Sequence, residues 1–274
     1  MKLLFNSILA RFNIKVTKNR LFRKLLNIEI QFKQYYTYSK DLQNLLKAII
    51  LNSEGLANDD IENSKSQFLQ DIIVLDLLDF KKEGYFIELG ACDGVVNSNT
   101  YLLEKNFSWD GILIEPVKSY FKELCKNRNS ECLNLAILDK KKEKVLFTET
   151  DNKDLSTLSK YKFNDIHDEN RENSTEYFVM TDTLQSVIKE NSSQKIIDYL
   201  SLDTEGSEYD ILKKFDFQNY KIKVITVEHN FSQNRELLEK LLVSNNFIRY
   251  LPELSQVDDI YINKEFTYQP KYFS

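Results

Sequence analysis

GYFIELGACDG, residues 84–94, is the stretch on which the reading of the fold turns. Residues 85–89 form a short apolar run, the right length for a buried strand and too short for a helix. The run ends at once in Gly90-Ala91-Cys92-Asp93-Gly94, where two glycines permit a tight turn and a close backbone approach to a ligand. The whole chain has only six glycines in 274 residues, so two of them four positions apart carry weight. The turn is not GxGxxG and no Walker lysine follows, which argues against a site for pyrophosphate or a nucleoside triphosphate. Glu88 and Asp93 make the loop acidic and suit a ligand with a cationic end. Taken alone, the loop also reads as a plain strand-to-helix turn.

Outward from this stretch the same rhythm repeats. Helical patterns fall near 66–81, 98–106, 119–128, 184–190, 207–215 and 235–245. Short apolar strands fall at 111–115, 132–138, 177–180, 199–203 and 223–228, and two closing strands at 247–251 and 259–262. Alternation of this kind predicts an α/β fold: a Rossmann-like, mostly parallel seven-stranded sheet with helices on both faces, ending in a hairpin. Residues 148–175 are polar and without clear period, a candidate lid or acceptor-recognition loop.

Composition bounds the class. Hydrophobic residues make up 42% and charged residues 29%, as in an ordinary globular protein. The net charge of -5 argues against a general nucleic-acid binder, which needs a basic surface. Residues 1–28 hold seven Lys or Arg and no acid, so the remainder carries -12. Three cysteines without a CxxC argue against a disulfide framework or a structural zinc and fit a reducing cytoplasm. No apolar run approaches the roughly 20 residues of a membrane span, and the start lacks a signal-peptide cleavage site.

The expected division is a basic helical extension and linker over 1–64 and the α/β domain over 65–274. Leu21, Leu25, Ile28 and Phe32 fall at helical spacing, with Arg20, Arg23 and Lys24 beside them. Such a helix could touch an anionic membrane, a partner or a second copy of the chain. The simpler reading is a solvated helix packed on the main domain. Residues 52–64, NSEGLANDDIENS, read as the linker.

In open α/β sheets ligands bind beyond the carboxyl ends of the strands. The second strand ends in Glu115-Pro116, an acid about 20 residues past the glycine turn, where a carboxylate binds ribose hydroxyls. The pair of features is more specific than either alone. A nucleoside with no pyrophosphate and a charged amino-acid tail describes S-adenosylmethionine. Further on, Asp203 closes a strand and faces the expected crevice, while Glu208 suits the start of the next helix. Glu228 and His229 close another strand. His229 is one of two histidines, and it is the preferred base over a structural role; His167 lies in a polar loop and reads as solvated.

The blocks GYFIELGACDG (84–94), SNTYLLEK (98–105), GILIEP (111–116), YLSLDTEGSEYDIL (199–212) and ITVEHN (225–230) together resemble the FkbM-type methyltransferases, a branch of the class I S-adenosylmethionine-dependent enzymes. The resemblance runs over about 66–262. It implies O-methylation of a hydroxyl, often on a sugar or polyketide-type metabolite. By the family's pattern Glu88, Gly90, Ala91 and Asp93 hold the amino-acid end of the cofactor, helped by Asn99. Glu115 and Pro116 lie at the ribose, and Ala136 and Ile137 lie near adenine. Ala91 and Cys92 stand where many class I enzymes have another glycine. Asp203 and His229 are the catalytic candidates. Asp203, Glu228 and His229 also stand where catechol O-methyltransferase-like enzymes hold a divalent ion, here Mg²⁺ or Mn²⁺, so base and metal ligand compete for His229. The acceptor expected is a small molecule or glycan in the cytoplasm, as in polysaccharide biosynthesis. Other readings are methylation of another metabolite or of protein, and a noncatalytic cofactor-binding scaffold. A nucleotide-sugar dehydrogenase is disfavoured by the missing dinucleotide fingerprint.

Overall fold

The computed structural model describes residues 63–162, 171, 173–252, 255–266 and 268. These belong to one compact unit, Ala48–Ser274. The basic extension expected over 1–50, nearly all of the linker and His167 lie outside the described residues. After helix α1 (Gln70–Leu77) the chain alternates: β1 (Tyr85–Leu89), α2 (Tyr101–Phe107), β2 (Asp110–Ile114), α3 (Lys118–Asn127) and β3 (Glu131–Leu133). It then departs from that rhythm into β4 (Ala136–Ile137), β5 (Lys144–Thr150), β6 (Thr157–Leu158) and β7 (Ser174–Asp182). Alternation resumes with α4 (Leu184–Asn191), β8 (Ile196–Leu202), α5 (Glu208–Leu212), β9 (Lys221–Glu228) and α6 (Asn234–Ser244), and closes with β10 (Phe247–Tyr250) and β11 (Asp258–Asn263).

The main sheet has seven strands in the order β10-β11-β9-β8-β1-β2-β3. β3, β2, β1, β8 and β9 run parallel, and the hairpin β10–β11 joins antiparallel through β11. β1 and β8 are mostly apolar and buried beyond their first residue because helices cover both faces of the sheet. Ile87 and Leu89 pack with Leu184, Val187 and Ile188 of α4, Ile211 and Leu212 of α5, and Leu238 and Leu242 of α6 in one core. Alternate side chains point the other way, so Glu88 meets the residues that open α2. The chain steps from β1 outward through β2 and β3, then returns to lay β8 on the other side of β1. The reversal leaves a crevice beyond the carboxyl ends of β1 and β8.

The expected strand over 132–138 is two strands in two sheets. Only Ile112–Ile114 and Glu131–Leu133 pair in the main sheet. Ala136 and Ile137 pair instead with Thr181 and Asp182, in a second sheet of order β4-β7-β5-β6. β6 lies within the stretch read as a polar loop, and β5, which pairs with β7 along its whole length, runs into the start of that stretch. Its inward residue Phe147 joins Val117, Ala136, Leu158, Tyr161 and Val179 in a separate small core. Its neighbour Leu146 is exposed, and that outward leucine blurs the period-2 pattern that marks a half-buried strand. Among the described residues no helix is long and apolar enough to cross a membrane.

Candidate functional site

A cavity of about 340 Å³ opens beyond the ends of β1, β2, β8 and β9. Backbone hydrogen bonds lace three of these strand ends together. The N–H groups of Gly90 and Ala91 donate to the Ile114 carbonyl at 3.0 and 3.1 Å, and the Asp203 N–H donates to the Leu89 carbonyl at 3.1 Å. Gly90 has φ +79°, and a Cβ there would lie 1.8 Å from the Asp203 carbonyl oxygen. Only glycine permits the two loops to meet this closely.

One half of the cavity lies over β1 and β2. Glu115 is buried at its wall, accepting from the Cys92 N–H at 2.9 Å and the Val117 N–H at 2.6 Å. One bond to each oxygen leaves lone pairs for ligand hydroxyls. Burial raises the pKa of its carboxyl to about 7, and the two N–H donors oppose that rise. Pro116, Ala136 and Ile137 line the same wall, with Phe147 and Leu158 from the second sheet. Ala91 and Asn99 are also at the wall. The Asn99 amide is fixed from both ends, accepting from Ser66 Oγ at 2.6 Å and donating to Ser201 Oγ at 3.0 Å.

Two residues expected at the amino-acid end of the cofactor do not reach the cavity wall. Glu88 accepts from the Asn99 N–H at 2.8 Å and Thr100 Oγ1 at 2.6 Å, with the buried Arg128 at 3.7 Å. Its burial pushes the pKa up and Arg128 opposes this. Arg128 also donates to the Gly94 carbonyl, Ser98 Oγ and Glu104. The pair therefore shapes the loop from within. Asp93 accepts from the N–H groups of Val95 and Val96 at 2.8 and 2.9 Å, closing its own turn. The wall also includes Gln67, Phe68 and Gln70, and the segment 152–156. These come from outside the strand ends: 152–156 falls in the stretch read as a candidate lid or acceptor-recognition loop, while nothing in the sequence marks Gln67, Phe68 and Gln70.

The other half lies over β8 and β9. Asp203, Glu205 and Glu228 each place a carboxylate oxygen within 4.8 Å of the others. Asp203 opens to the cavity but is otherwise enclosed, and burial beside other acids raises its pKa to about 7. Glu228 is pushed well up by burial and then by Asp203. Glu205 is held by the fully buried Arg171 at 2.6 Å and by Asn230 Nδ2 at 3.1 Å. Asp258, which accepts from Gln70 Nε2, is raised to about 8 by burial and Asp203. Glu208 caps the start of its helix, accepting from the Thr204 and Gly206 N–H groups at 2.9 and 3.1 Å.

His229 does not join Asp203 and Glu228. Side chains alternate at a strand end, so Glu228 and Asn230 line the cavity and His229 turns away from it. Its Nδ1 accepts from the Phe231 N–H at 3.1 Å, and Nε2 lies 3.3 Å from Ser255 Oγ and 3.8 Å from Asp259. Burial lowers its pKa to about 4. Both ring nitrogens of this neutral imidazole are engaged, and neither faces a ligand. Glu205 stands where the sequence reading placed His229.

A nucleoside-sized crevice without a pyrophosphate turn, on a parallel sheet closed by an antiparallel hairpin, is the arrangement of the class I methyltransferases, which use S-adenosylmethionine. Within that class, the chain belongs to the family of the methyltransferase FkbM domain, whose sequence profile matches residues 88–261. Among solved structures it is similar to a methyltransferase FkbM from Methylobacillus flagellatus KT, at 10% identity and TM-score 0.45, covering 81% of this chain and 60% of that one. It is also similar to a precorrin-6y C5,15-methyltransferase from Geobacter metallireducens GS-15, at 9% identity and TM-score 0.37, covering 76% of this chain and 95% of that one. No curated relative matches the chain.

Proposed function

We propose that the protein moves the methyl group of S-adenosylmethionine to a hydroxyl of a sugar, nucleotide sugar or surface glycan in the cytoplasm. The observation that carries this reading is the division of one cavity into a half with Glu115 and apolar walls and a half ringed by Asp203, Glu228 and Asp258. The first half suits a nucleoside, with Glu115 accepting from the ribose hydroxyls and Ala136 and Ile137 beside the base. Gly90, Ala91 and Asn99 offer backbone and amide groups to the amino-acid tail, on a loop that Glu88 and Asp93 brace. The cofactor supplies a methyl group on a positively charged sulfur. Transfer forms an O–CH₃ bond, breaks the S–CH₃ bond and releases the hydroxyl proton. The carboxylates of the second half are placed to take that proton, and Asp203, at about 7, is matched to work near neutral pH. The enclosing walls hold acceptor and methyl group in line, which removes much of the entropic barrier.

In this reading residues 65–274 are the catalytic unit, and 1–64 an extension that contacts a membrane surface or a second copy. The test is incubation with methyl-labelled S-adenosylmethionine and a panel of nucleotide sugars and glycans, with products read by mass spectrometry after hydrolysis. Methyl ethers of sugars are expected. Label found only on protein or on non-carbohydrate metabolites would sink the carbohydrate assignment and leave the methyltransferase in place.

A further inference from the structure

The carboxylates of the acceptor half are gathered more tightly than proton transfer requires. The oxygens of Asp203, Glu205 and Glu228 lie within 4.8 Å of one another. Opposite ligands of an octahedral Mg²⁺, with bonds of about 2.1 Å, stand about 4.2 Å apart. Only one pair of three ligands can be opposite, and adjacent ligands stand about 3.0 Å apart, so the three must close inward by up to about 1.8 Å to share one ion. Asp203 and Glu205 share one loop, pinned through Gly90 against Asp203 and through the Thr157 hydroxyl donating to the Glu205 carbonyl at 2.7 Å, and Glu228 is the last residue of β9.

A second observation is independent of the acids. Asn230 is only 4% exposed and lines the same cavity. Its Nδ2 donates to Glu205, while its Oδ1 has no hydrogen-bond partner. Turning the amide over would set that oxygen against the Glu205 carboxylate, so the orientation is fixed and a buried acceptor is left on a residue that lines the cavity beside the acid cluster. Buried polar oxygens of this kind are normally satisfied, and a cation among the neighbouring carboxylates would satisfy it.

We infer that Asp203, Glu205, Glu228 and the side-chain oxygen of Asn230 hold a divalent cation, Mg²⁺ or Mn²⁺. The donor set is all oxygen and mostly carboxylate, which selects hard ions over zinc or copper. His229 contributes to this site only through backbone: by accepting from the Phe231 N–H it holds Asn230 and Phe231 at φ +40° and +53°. The purpose of the ion rests on the acceptor assignment above: an ion here would bind and polarise the acceptor oxygen and would keep Asp203 ionised as its ligand, leaving Asp258 of the same wall in place of Asp203 to take the proton.

Titration of the full-length protein with Mn²⁺, read by electron paramagnetic resonance, tests the site without cofactor or acceptor. One Mn²⁺ is expected to bind and to be displaced by Mg²⁺. Asp203→Asn and Glu228→Gln are expected to weaken binding by roughly tenfold or more. Asn230→Asp trades the amide's donation to Glu205 for a second carboxylate oxygen, so it should lower the stability of the metal-free protein and tighten Mn²⁺ binding, and Asn230→Leu should weaken binding. Circular dichroism checks folding, and if the acid variants unfold, the Asn230 pair decides. No Mn²⁺ bound by the wild type at about 1 mM, the weak end of biological sites, overturns the inference, as does identical binding by both Asn230 variants. Mn²⁺ binding by a protein that methylates no carbohydrate would uphold the ion and sink the acceptor reading instead.

Discussion

The Asp203 carbonyl oxygen stands 1.8 Å from the point a Cβ on Gly90 would occupy. The loop after β1 and the loop after β8 thus touch backbone to backbone. Gly90→Ala meets both this contact and an unfavourable φ of +79°. We expect it to cost about 2–3 kcal/mol of stability and to weaken cofactor binding along with turnover. Denaturant melts with calorimetry check this; a variant with wild-type midpoint and affinity would show that the loops can part.

Glu115 is expected to make cofactor affinity depend on pH. Its carboxyl has a pKa near 7 because it is buried, and protonation turns one oxygen from acceptor to donor. Binding of S-adenosylmethionine should therefore weaken as pH falls through about 7. Glu115→Ala should lower affinity by about 1.5–3 kcal/mol and flatten that dependence. Calorimetry at pH 6 and pH 8 on both proteins separates the effect from general loss of fold.

His229 is expected to act on stability and not as the base. Its pKa falls from 6.5 unfolded to about 4 folded. Between those values the unfolded chain binds a proton that the fold refuses, so stability is lost as pH drops from about 6.5 toward 4, by on the order of 3 kcal/mol. His229→Asn should remove most of that slope in a melting series and leave the pH–rate profile with its original limbs. A profile that loses a limb would return His229 to the chemistry.

A chain beginning at Asn52 should fold and bind cofactor, because the described cavity wall starts at Gln67. One beginning at Asp71 should bind poorly: it lacks Ser66, which donates to Asn99, and Gln70, which donates to Asp258. Paired calorimetry of the two proteins checks the boundary. Failure of the longer one would place part of 1–51 in the catalytic core.

The main sheet was legible because its strands are buried on both faces. Tyr85–Leu89 reads as one apolar run, and the structure places β1 on those same residues. β5 was not legible, because exposed Leu146 sits between Val145 and Phe147 and hides the alternation. Glu115 was placed by its spacing from the glycine turn, and it does stand at the wall. His229 was misplaced for a reason the sequence already contained: neighbours on a strand cannot face the same cavity, so Glu228 and His229 were never a compatible pair. Glu205 was passed over because its direction depends on a backbone φ of +58° that no residue pattern announces. Glu88 and Asp93 show that an acid in the right loop can serve the loop alone.

The return of the chain across β1 also sets when the site can exist. Phe86 pairs with Tyr199, and β9 is added beyond β8, so the cavity has no acceptor half until the chain has been made through Glu228 and Asn230. A nascent chain emerging from the ribosome could pair β1 with β2 early, since those contacts are local, but must wait for the distant partner. Half-synthesised copies therefore hold only the half of the cavity over β1 and β2, and the carboxylates of Asp203, Glu205 and Glu228 come together only once β9 is in place.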